Sequence, residues 1–202
     1  MRQLLLDIQP AAKPSLANFV VGQNAEALDT LTLACEGKPE ARFIYLWGPP
    51  GSGKSHLLQA CADAARQQEV ALLVADDVHL LNEDDQIALF DAFNQLREGG
   101  GTLISSGIAS PLQMGLRDDL ATRLAWGLVY QLQPLSDAEK AEALRKHAAE
   151  RGMKLPEEVL DYCLRHLRRD LPTLMATLDA LDEWSLTDKR PVTLPLLRQL
   201  LR

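Results

Sequence analysis

The segment Gly48-Pro-Pro-Gly-Ser-Gly-Lys54-Ser55 constrains this chain more than any other feature of its sequence. It fits the pattern G-x-x-x-x-G-K-[ST] at every fixed position. Glycines allow backbone N–H groups to turn onto phosphate oxygens where a Cβ atom would collide, and a following helix points its positive N-terminal end at the same anion. The alternative is a chance glycine-rich turn, which would match on the order of 1% of the time in a chain of this length.

The segment therefore predicts a site for ADP or ATP with Mg²⁺. Lys54 supplies a mobile cation to the terminal phosphates, and Ser55 offers a hydroxyl to the metal ion. The residues predicted to contact phosphate are Gly48, Pro49, Pro50, Gly51, Ser52, Gly53, Lys54 and Ser55.

Short apolar runs alternate with helical patterns in the first two thirds of the chain. Two runs, Phe43–Trp47 and Val70–Ala75, read as buried strands, and further strands are expected at Thr102–Ser106 and Leu128–Leu132. From Leu135 onward only helical patterns follow, beginning with the capping box Ser136-Asp-Ala-Glu139. We therefore expect an α/β domain with a parallel sheet over residues 15–134 and a small helical lid domain over 135–202, after an extended tail of residues 1–14.

Composition narrows the class of protein. A net charge of −7 in 202 residues argues against strong binding to nucleic acid, which needs clustered Lys and Arg. The 3 cysteines are scattered without CxxC spacing, as expected for reduced thiols in a core. The apolar runs are too short to cross a bilayer and no leader opens the chain, so we expect a cytoplasmic protein with no membrane association.

Two aspartates follow the second predicted strand. Asp76 is placed where a P-loop protein keeps the carboxylate that holds the Mg²⁺ water shell, although a strand-terminal Asp can also simply face solvent. Asp77 occupies the place where hydrolysing members of this class usually carry a glutamate to orient the attacking water. An aspartate is shorter by about 1.5 Å, one C–C bond, and a misplacement of that size can cost about a hundredfold in rate. We therefore expect weak intrinsic ATPase activity.

Several segments resemble the DnaA-like AAA+ family, in the order in which that family carries them. Gly53-Lys-Ser-His-Leu-Leu58 resembles the exit of its P-loop, and Asn18-Phe-Val-Val-Gly22 resembles the segment that leads into its nucleotide domain. Thr122-Arg-Leu-Ala-Trp-Gly-Leu128 is similar to its arginine-finger box, and Arg169-Asp-Leu-Pro-Thr-Leu174 to its sensor-2 helix. The resemblance covers residues 15–202 and is strongest to the short members of the family that inactivate DnaA.

The resemblance implies roles for individual residues. Arg123 would be the finger that reaches a nucleotide in a neighbouring subunit, and Ser106 would be the sensor-1 polar group. Arg169 would contact phosphates from the lid, with Arg168 as a competitor for that role, and His56 would join the nucleotide-binding set. Without the motif context, the favoured explanation of Arg123, Arg169 and Ser106 would be exposed arginines that promote solubility and a strand-end turn serine.

The N-terminal tail carries a second resemblance. The segment Gln3-Leu-Leu-Leu-Asp-Ile8 is similar to the Q-L-x-L-x-[L/F] peptide that docks on the β sliding clamp. Its glutamine would fix orientation through hydrogen bonds while apolar side chains fill a pocket; these residues are Gln3, Leu4, Leu6 and Ile8. The alternatives are a tail that folds back on its own domain and an ordinary edge strand.

Two departures from the family pattern matter. Only 22 positions separate Lys54 from Asp76, too few for the strand and helix that AAA+ domains normally place there, so we expect a shortened sheet with the Asp76 strand at its edge. The chain also stops after the lid, so we expect no sequence-specific DNA-binding domain.

The resemblance implies a negative regulator of replication initiation. It would bind the clamp on DNA, self-associate, and promote hydrolysis of DnaA-bound ATP through Arg123. The alternatives are an autonomous AAA+ ATPase that loads or remodels another protein, and a degenerate scaffold that uses nucleotide only for folding.

Overall fold

The computed structural model describes residues 13–168 and 170–201. The chain divides into two compact units, one of them Pro14–Pro134 and the other containing the chain from Leu135 onward. The predicted clamp-binding residues and Arg169 lie outside the described residues.

The first unit alternates helices and strands, as the sequence predicts. Its elements are α1 (Ala25–Cys35), β1 (Phe43–Trp47), α2 (Lys54–Gln67), β2 (Leu72–Ala75), α3 (Glu83–Gly99), β3 (Thr102–Gly107), α4 (Asp118–Trp126) and β4 (Leu128–Gln131). All strand pairs are parallel, and the order across the sheet is β2-β3-β1-β4. The predicted parallel α/β architecture is therefore confirmed.

Helices cover both faces of this sheet. On one face, α1 and α2 pack a core that includes Leu31, Leu57 and Ile44. On the other face, α3 and α4 pack a core that includes Phe93, Leu120 and Tyr45. Neighbouring residues of β1 thus serve opposite cores, because successive side chains of a strand point to opposite faces.

The shortened sheet predicted from the sequence is confirmed. Only residues 68–71 connect α2 to β2, and Glu69 adopts a φ of +56° to make the turn. Within the described part of the chain β2 pairs with β3 alone and forms the sheet edge. The expectation that this strand is buried is wrong, because an edge strand keeps one side open: Leu73 is 38% exposed. The strand also starts at Leu72 rather than Val70.

The second unit consists of helices, namely α5 (Asp137–Glu150), α6 (Glu157–His166), α7 (Leu171–Asp188) and α8 (Leu194–Leu200). They enclose a core of their own, in which Leu144, Leu160, Leu174 and Leu178 are fully buried or nearly so. The predicted capping box is present at the start of α5, where Ser136 and Glu139 bond reciprocally. Pro156 is the N-cap of α6.

The three cysteines are free and buried in the cores, as the sequence predicts. Among residues 13–168 and 170–201, no helix combines the length and the apolar character that a bilayer crossing requires.

Candidate nucleotide site

The phosphate loop connects β1 to α2, and its glycines adopt conformations that other residues avoid. Gly48, Gly51 and Gly53 have φ values of +154°, +80° and +94°. A Cβ atom on Gly48 would lie 2.5 Å from the carbonyl oxygen of Leu132, and one on Gly53 would lie 2.7 Å from the ring of Phe19. Both the backbone conformation and the surrounding atoms therefore require glycine at the two ends of the loop.

Lys54 begins α2 and points its ammonium group back along the loop. Its side chain is buried, and Nζ donates to the carbonyl oxygens of Gly48 at 2.8 Å and Pro49 at 3.2 Å. Ser52 contributes a buried Oγ atom that has no hydrogen-bond partner. An anion requires hydrogen-bond donors, and this loop offers a buried ammonium, an unpartnered hydroxyl and the free N–H groups of a helix start. These residues therefore fit a nucleotide phosphate.

The remaining predicted residues of the loop face solvent: Pro49, Pro50, Gly51 and Ser55 are exposed. Ser55 lies in the first turn of α2, next to Lys54. Its hydroxyl is therefore accessible at the helix end where the macrodipole is positive.

Asp76, Asp77 and Ser106 meet at the carboxyl edge of the sheet. Ser106 is fully buried on β3, and its Oγ donates a short hydrogen bond to Oδ1 of Asp76. The backbone N–H of Asp77 donates both to Asp76 Oδ1 at 3.0 Å and to Ser106 Oγ at 3.1 Å. The three residues form one network because β2 and β3 are paired in register up to Ala75 and Ser105.

Asp77 is one of the few non-glycine residues with a left-handed backbone, at φ +48°. This conformation costs of order 1–3 kcal/mol, so the surrounding hydrogen bonds must hold it. Its carboxylate lies 3.9 Å from Nδ1 of His79. Burial raises the pKa of Tyr45, and the charge of Asp77 raises it further.

His56 lies on α2 and joins the phosphate-loop helix to the segment that precedes α1. Its Nε2 is 3.0 Å from the carbonyl oxygen of Ser15, and its ring centroid lies 5.6 Å from that of Phe19. The family resemblance of the segment around Phe19 implies no role for Ser15 or Phe19. The pattern Asn18-Phe-Val-Val-Gly22 was the available signal, but it does not show that Phe19 packs against Gly53.

A second contact that the sequence does not reveal joins Asn24 to the end of the sheet. The buried side chain of Asn24 donates to the carbonyl oxygen of Gln133 at 2.9 Å and accepts from its N–H at 2.8 Å. Gln133 follows Leu132, whose carbonyl oxygen lies against Gly48. Asn24 thus fixes the chain that forms one wall of the phosphate loop.

Arg123 lies apart from this site, on α4. Its guanidinium lies over the rings of Phe90 and Phe93, at 5.9 Å and 6.0 Å. Phe93 packs against Phe43, the first residue of β1, whereas the phosphate loop follows the last residue of that strand. The finger residue predicted from the sequence therefore lies toward the opposite end of the strands from the chain's own phosphate loop.

The lid residues can be placed only in part. Arg168 is 83% exposed, and its Nε lies 3.3 Å from Oδ2 of Asp170, the N-cap of α7. Arg169, the predicted sensor-2 residue, lies outside the described residues, as do Gln3, Leu4, Leu6 and Ile8.

Comparison with known proteins gives matches to two family models. Residues 63–131 match the model of the bacterial DnaA ATPase domain. Residues 137–201 match the model of the Hda lid domain.

Solved structures with a similar fold include domain III of the replication initiation protein DnaA from Thermotoga maritima. It superimposes with a TM-score of 0.76 at 24% identity, covering 94% of this chain and 96% of that one. AMPPCP-bound DnaA from Aquifex aeolicus gives a TM-score of 0.69 at 22% identity over 88% of this chain and 69% of that one. A mutant of RuvB from Thermotoga maritima gives 0.64 at 18% identity over 92% and 70%. At these identities the likeness shows the fold alone, and that fold is the AAA+ fold predicted from the sequence.

Proposed function

This chain belongs to the DnaA-like AAA+ proteins and has a lid domain of the Hda type, and on that premise we propose that it is a nucleotide-bound negative regulator of chromosomal replication initiation. It acts on DnaA, whose bound ATP it helps to hydrolyse. The proposal has three parts: a nucleotide that the chain holds, an arginine that it presents to another subunit, and a tail that docks on the sliding clamp.

The nucleotide is ADP or ATP, held by the phosphate loop. The buried ammonium of Lys54 and the unpartnered Oγ of Ser52 support this part, because both are hydrogen-bond donors held in the loop. Ser55 and Asp76 would hold Mg²⁺, which when bound neutralises charge on the phosphates. Ser106 fixes the Asp76 carboxylate through its hydrogen bond.

The chain itself turns over slowly in this proposal. Asp77 stands where a longer carboxylate would orient water, and its backbone is already held in a left-handed conformation by two hydrogen bonds. The side chain cannot extend further by a backbone adjustment without breaking them. The nucleotide in this chain therefore acts mainly as a bound ligand rather than as a substrate.

The position of Arg123 carries the proposal. It lies toward the opposite end of the strands from the phosphate loop, so it cannot serve the nucleotide of its own chain and is available to a second AAA+ subunit. A positive side chain supplied in trans stabilises the charge that develops in phosphoryl transfer, by about 10³–10⁵ in rate. We propose DnaA as that subunit, and the two family matches support this choice.

The tail completes the proposal. Gln3, Leu4, Leu6 and Ile8 dock on the β sliding clamp loaded on DNA, so that the regulator acts where replication is under way. The protein self-associates, works in the cytoplasm and does not read a DNA sequence itself.

The test is hydrolysis of DnaA-bound ATP in the presence of clamp-loaded DNA, with wild-type protein, with Arg123→Ala and with Arg66→Ala. Arg66 is a matched control because it is an exposed arginine paired with Asp63 of its own helix. We expect wild type and Arg66→Ala to accelerate hydrolysis and Arg123→Ala to fail. If wild type has no effect on DnaA but hydrolyses ATP rapidly by itself, the chain is an autonomous ATPase and the proposal is wrong.

A further inference from the structure

The guanidinium of Arg123 rests on an aromatic surface that α3 provides. Its Cζ atom lies 5.9 Å from the ring centroid of Phe90 and 6.0 Å from that of Phe93. Both distances fall within the range of about 6 Å over which a cation is attracted to the face of a ring. Arg123 is half-buried, and it borders the crevice between α4 and the sheet together with Phe93 and Leu124.

The two rings differ in how firmly they are held. Phe93 is 1% exposed and belongs to the core, where its ring lies 4.4 Å from that of Phe43. Phe90, one turn earlier on α3, is half-buried. Phe93 thus fixes the inner part of the surface, and Phe90 forms its solvent-facing border, where a guanidinium can leave the ring and reach outward.

Among residues 13–168 and 170–201, no acidic partner holds Arg123 in place. In the part of the chain that the structure describes, no carboxylate lies within ion-pair distance of its guanidinium, although Arg117 at the start of the same helix is paired with Asp119 and Glu83. A carboxylate would neutralise the charge that phosphates must meet. Aromatic rings orient the guanidinium without neutralising it, and a guanidinium is weakly hydrated, so stacking does not require much desolvation.

We propose that Phe90 is a positioning residue for Arg123: its ring restricts the guanidinium to the few conformations from which it reaches phosphates held by a second AAA+ subunit. The inference rests on the proposed function, since it assigns a cause to the placement of the finger. A free arginine side chain populates many rotamers. Restricting it to the few that reach the phosphates costs conformational entropy. The aromatic surface lowers this loss of entropy before the subunits meet.

The aromatic surface also explains why the residue at position 123 must be an arginine. A planar guanidinium can stack on a ring and still present its outer N–H groups to oxygen atoms, whereas a lysine ammonium is a compact, strongly hydrated charge on a flexible stem. Arg123→Lys would therefore keep the charge and lose the orientation.

The experiment uses the full chain in two measurements, with Phe90→Leu, Phe90→Tyr and the control Ile87→Ala. Leucine keeps an apolar side chain but has no ring face, and tyrosine restores the ring; Ile87 lies one turn away on α3 and is 38% exposed. The first measurement is the maximal rate of hydrolysis of DnaA-bound ATP at saturating regulator. We expect Phe90→Leu to lower it about threefold to tenfold, the effect of losing a partly desolvated cation–π contact, and Phe90→Tyr and Ile87→Ala to keep it.

The second measurement needs no partner. The Nε–H signal of Arg123, assigned by its loss in Arg123→Lys, should carry the same ring-current shift in wild type and in Phe90→Tyr. The shift should be smaller in Phe90→Leu, where only the Phe93 ring remains beside the guanidinium. An unchanged signal in Phe90→Leu would show that the contact does not exist in solution. If the signal moves but Phe90→Leu stimulates like wild type while Arg123→Ala does not, the contact is real and the positioning role is wrong. If wild type itself gives no stimulation, the proposed function fails and this role fails with it, whatever the signal shows.

Discussion

The hydroxyl of Ser106 donates a hydrogen bond to the carboxylate of Asp76, across two paired strands of the sheet. The same hydroxyl accepts from the backbone N–H of Asp77. One buried serine therefore sets both the orientation of the predicted metal carboxylate and the backbone of the residue that follows it.

We expect Ser106→Ala to weaken binding of Mg²⁺-ADP about tenfold, because a hydrogen bond to a charged group contributes about 1.5–3 kcal/mol. Isothermal titration with and without Mg²⁺ measures the change, which should be larger with the metal ion. Ser105→Ala is the control: its Oγ donates to the Ile44 carbonyl at 3.4 Å and does not reach the site. Equal affinities for the two variants would contradict the role of Ser106.

Replacement of Asp77 by glutamate should raise the intrinsic ATPase rate. The longer side chain advances its carboxylate by about one C–C bond, roughly 1.5 Å, and correction of a misplacement on that scale can be worth up to about a hundredfold. Single-turnover hydrolysis by the isolated protein is the measurement. Asp77→Asn, which keeps the length and loses the charge, should not gain activity. An intrinsic ATPase rate of several turnovers per second in the wild type would contradict the prediction.

Gly48→Ala should destabilise the nucleotide domain by about 1–3 kcal/mol, the usual cost of overpacking, and should abolish nucleotide binding. The added Cβ would lie 2.5 Å from a backbone oxygen that cannot rotate away. Gly100→Ala is the matched control, because Gly100 has a φ of +83° and open space around it. Urea unfolding of the two variants measures the free energy of unfolding and separates steric collision from backbone strain. A similar loss of stability in both variants would contradict the proposed collision at Gly48.

The tail prediction concerns residues outside the described structure. Gln3→Ala combined with Leu4→Ala should abolish binding to the immobilised sliding clamp, since the glutamine and the first leucine provide the orienting hydrogen bonds and an apolar anchor. Gln9→Ala changes the same residue type in the same tail outside the motif and should bind normally. Unchanged binding of the double variant would refute the assignment of the tail.

The capping box of α5 predicts a pH dependence. Two hydrogen bonds lower the pKa of Glu139 from its ordinary value of 4.5: the larger effect comes from the Ser136 hydroxyl and the smaller from the Ser136 backbone N–H. A carboxyl whose pKa is lower in the folded state stabilises the fold when the pH is above its unfolded-state pKa. This contribution is lost as the pH falls through its folded-state pKa. The stability difference between wild type and Ser136→Ala should therefore be full at neutral pH and shrink below pH 4.5.

At neutral pH, Ser136→Ala should lower the free energy of unfolding by about 1 kcal/mol, as loss of an N-cap does. Ser136→Thr keeps a hydroxyl and should retain the pH dependence. Denaturant unfolding at pH 7 and at pH 3 measures both, and a difference that does not change with pH would contradict the role of Glu139.

The sequence determined those features whose geometry is local. The glycine spacing of the phosphate loop, the strand before it and the helix after it follow from neighbouring residues, and so does the capping box at Ser136. The short interval between Lys54 and Asp76 also placed β2 at the sheet edge, because too few residues remain for another strand.

Tertiary structure alone decided which distant residues meet. Ser106 and Asp76 are 30 positions apart, and Asn24 and Gln133 are 109 apart. Neither pair leaves a periodic signal in the sequence, because the contact depends on strand register and on loop closure rather than on local conformation. The same holds for the Phe19 ring against Gly53 and for the aromatic surface under Arg123, where helices from separate parts of the chain pack side by side.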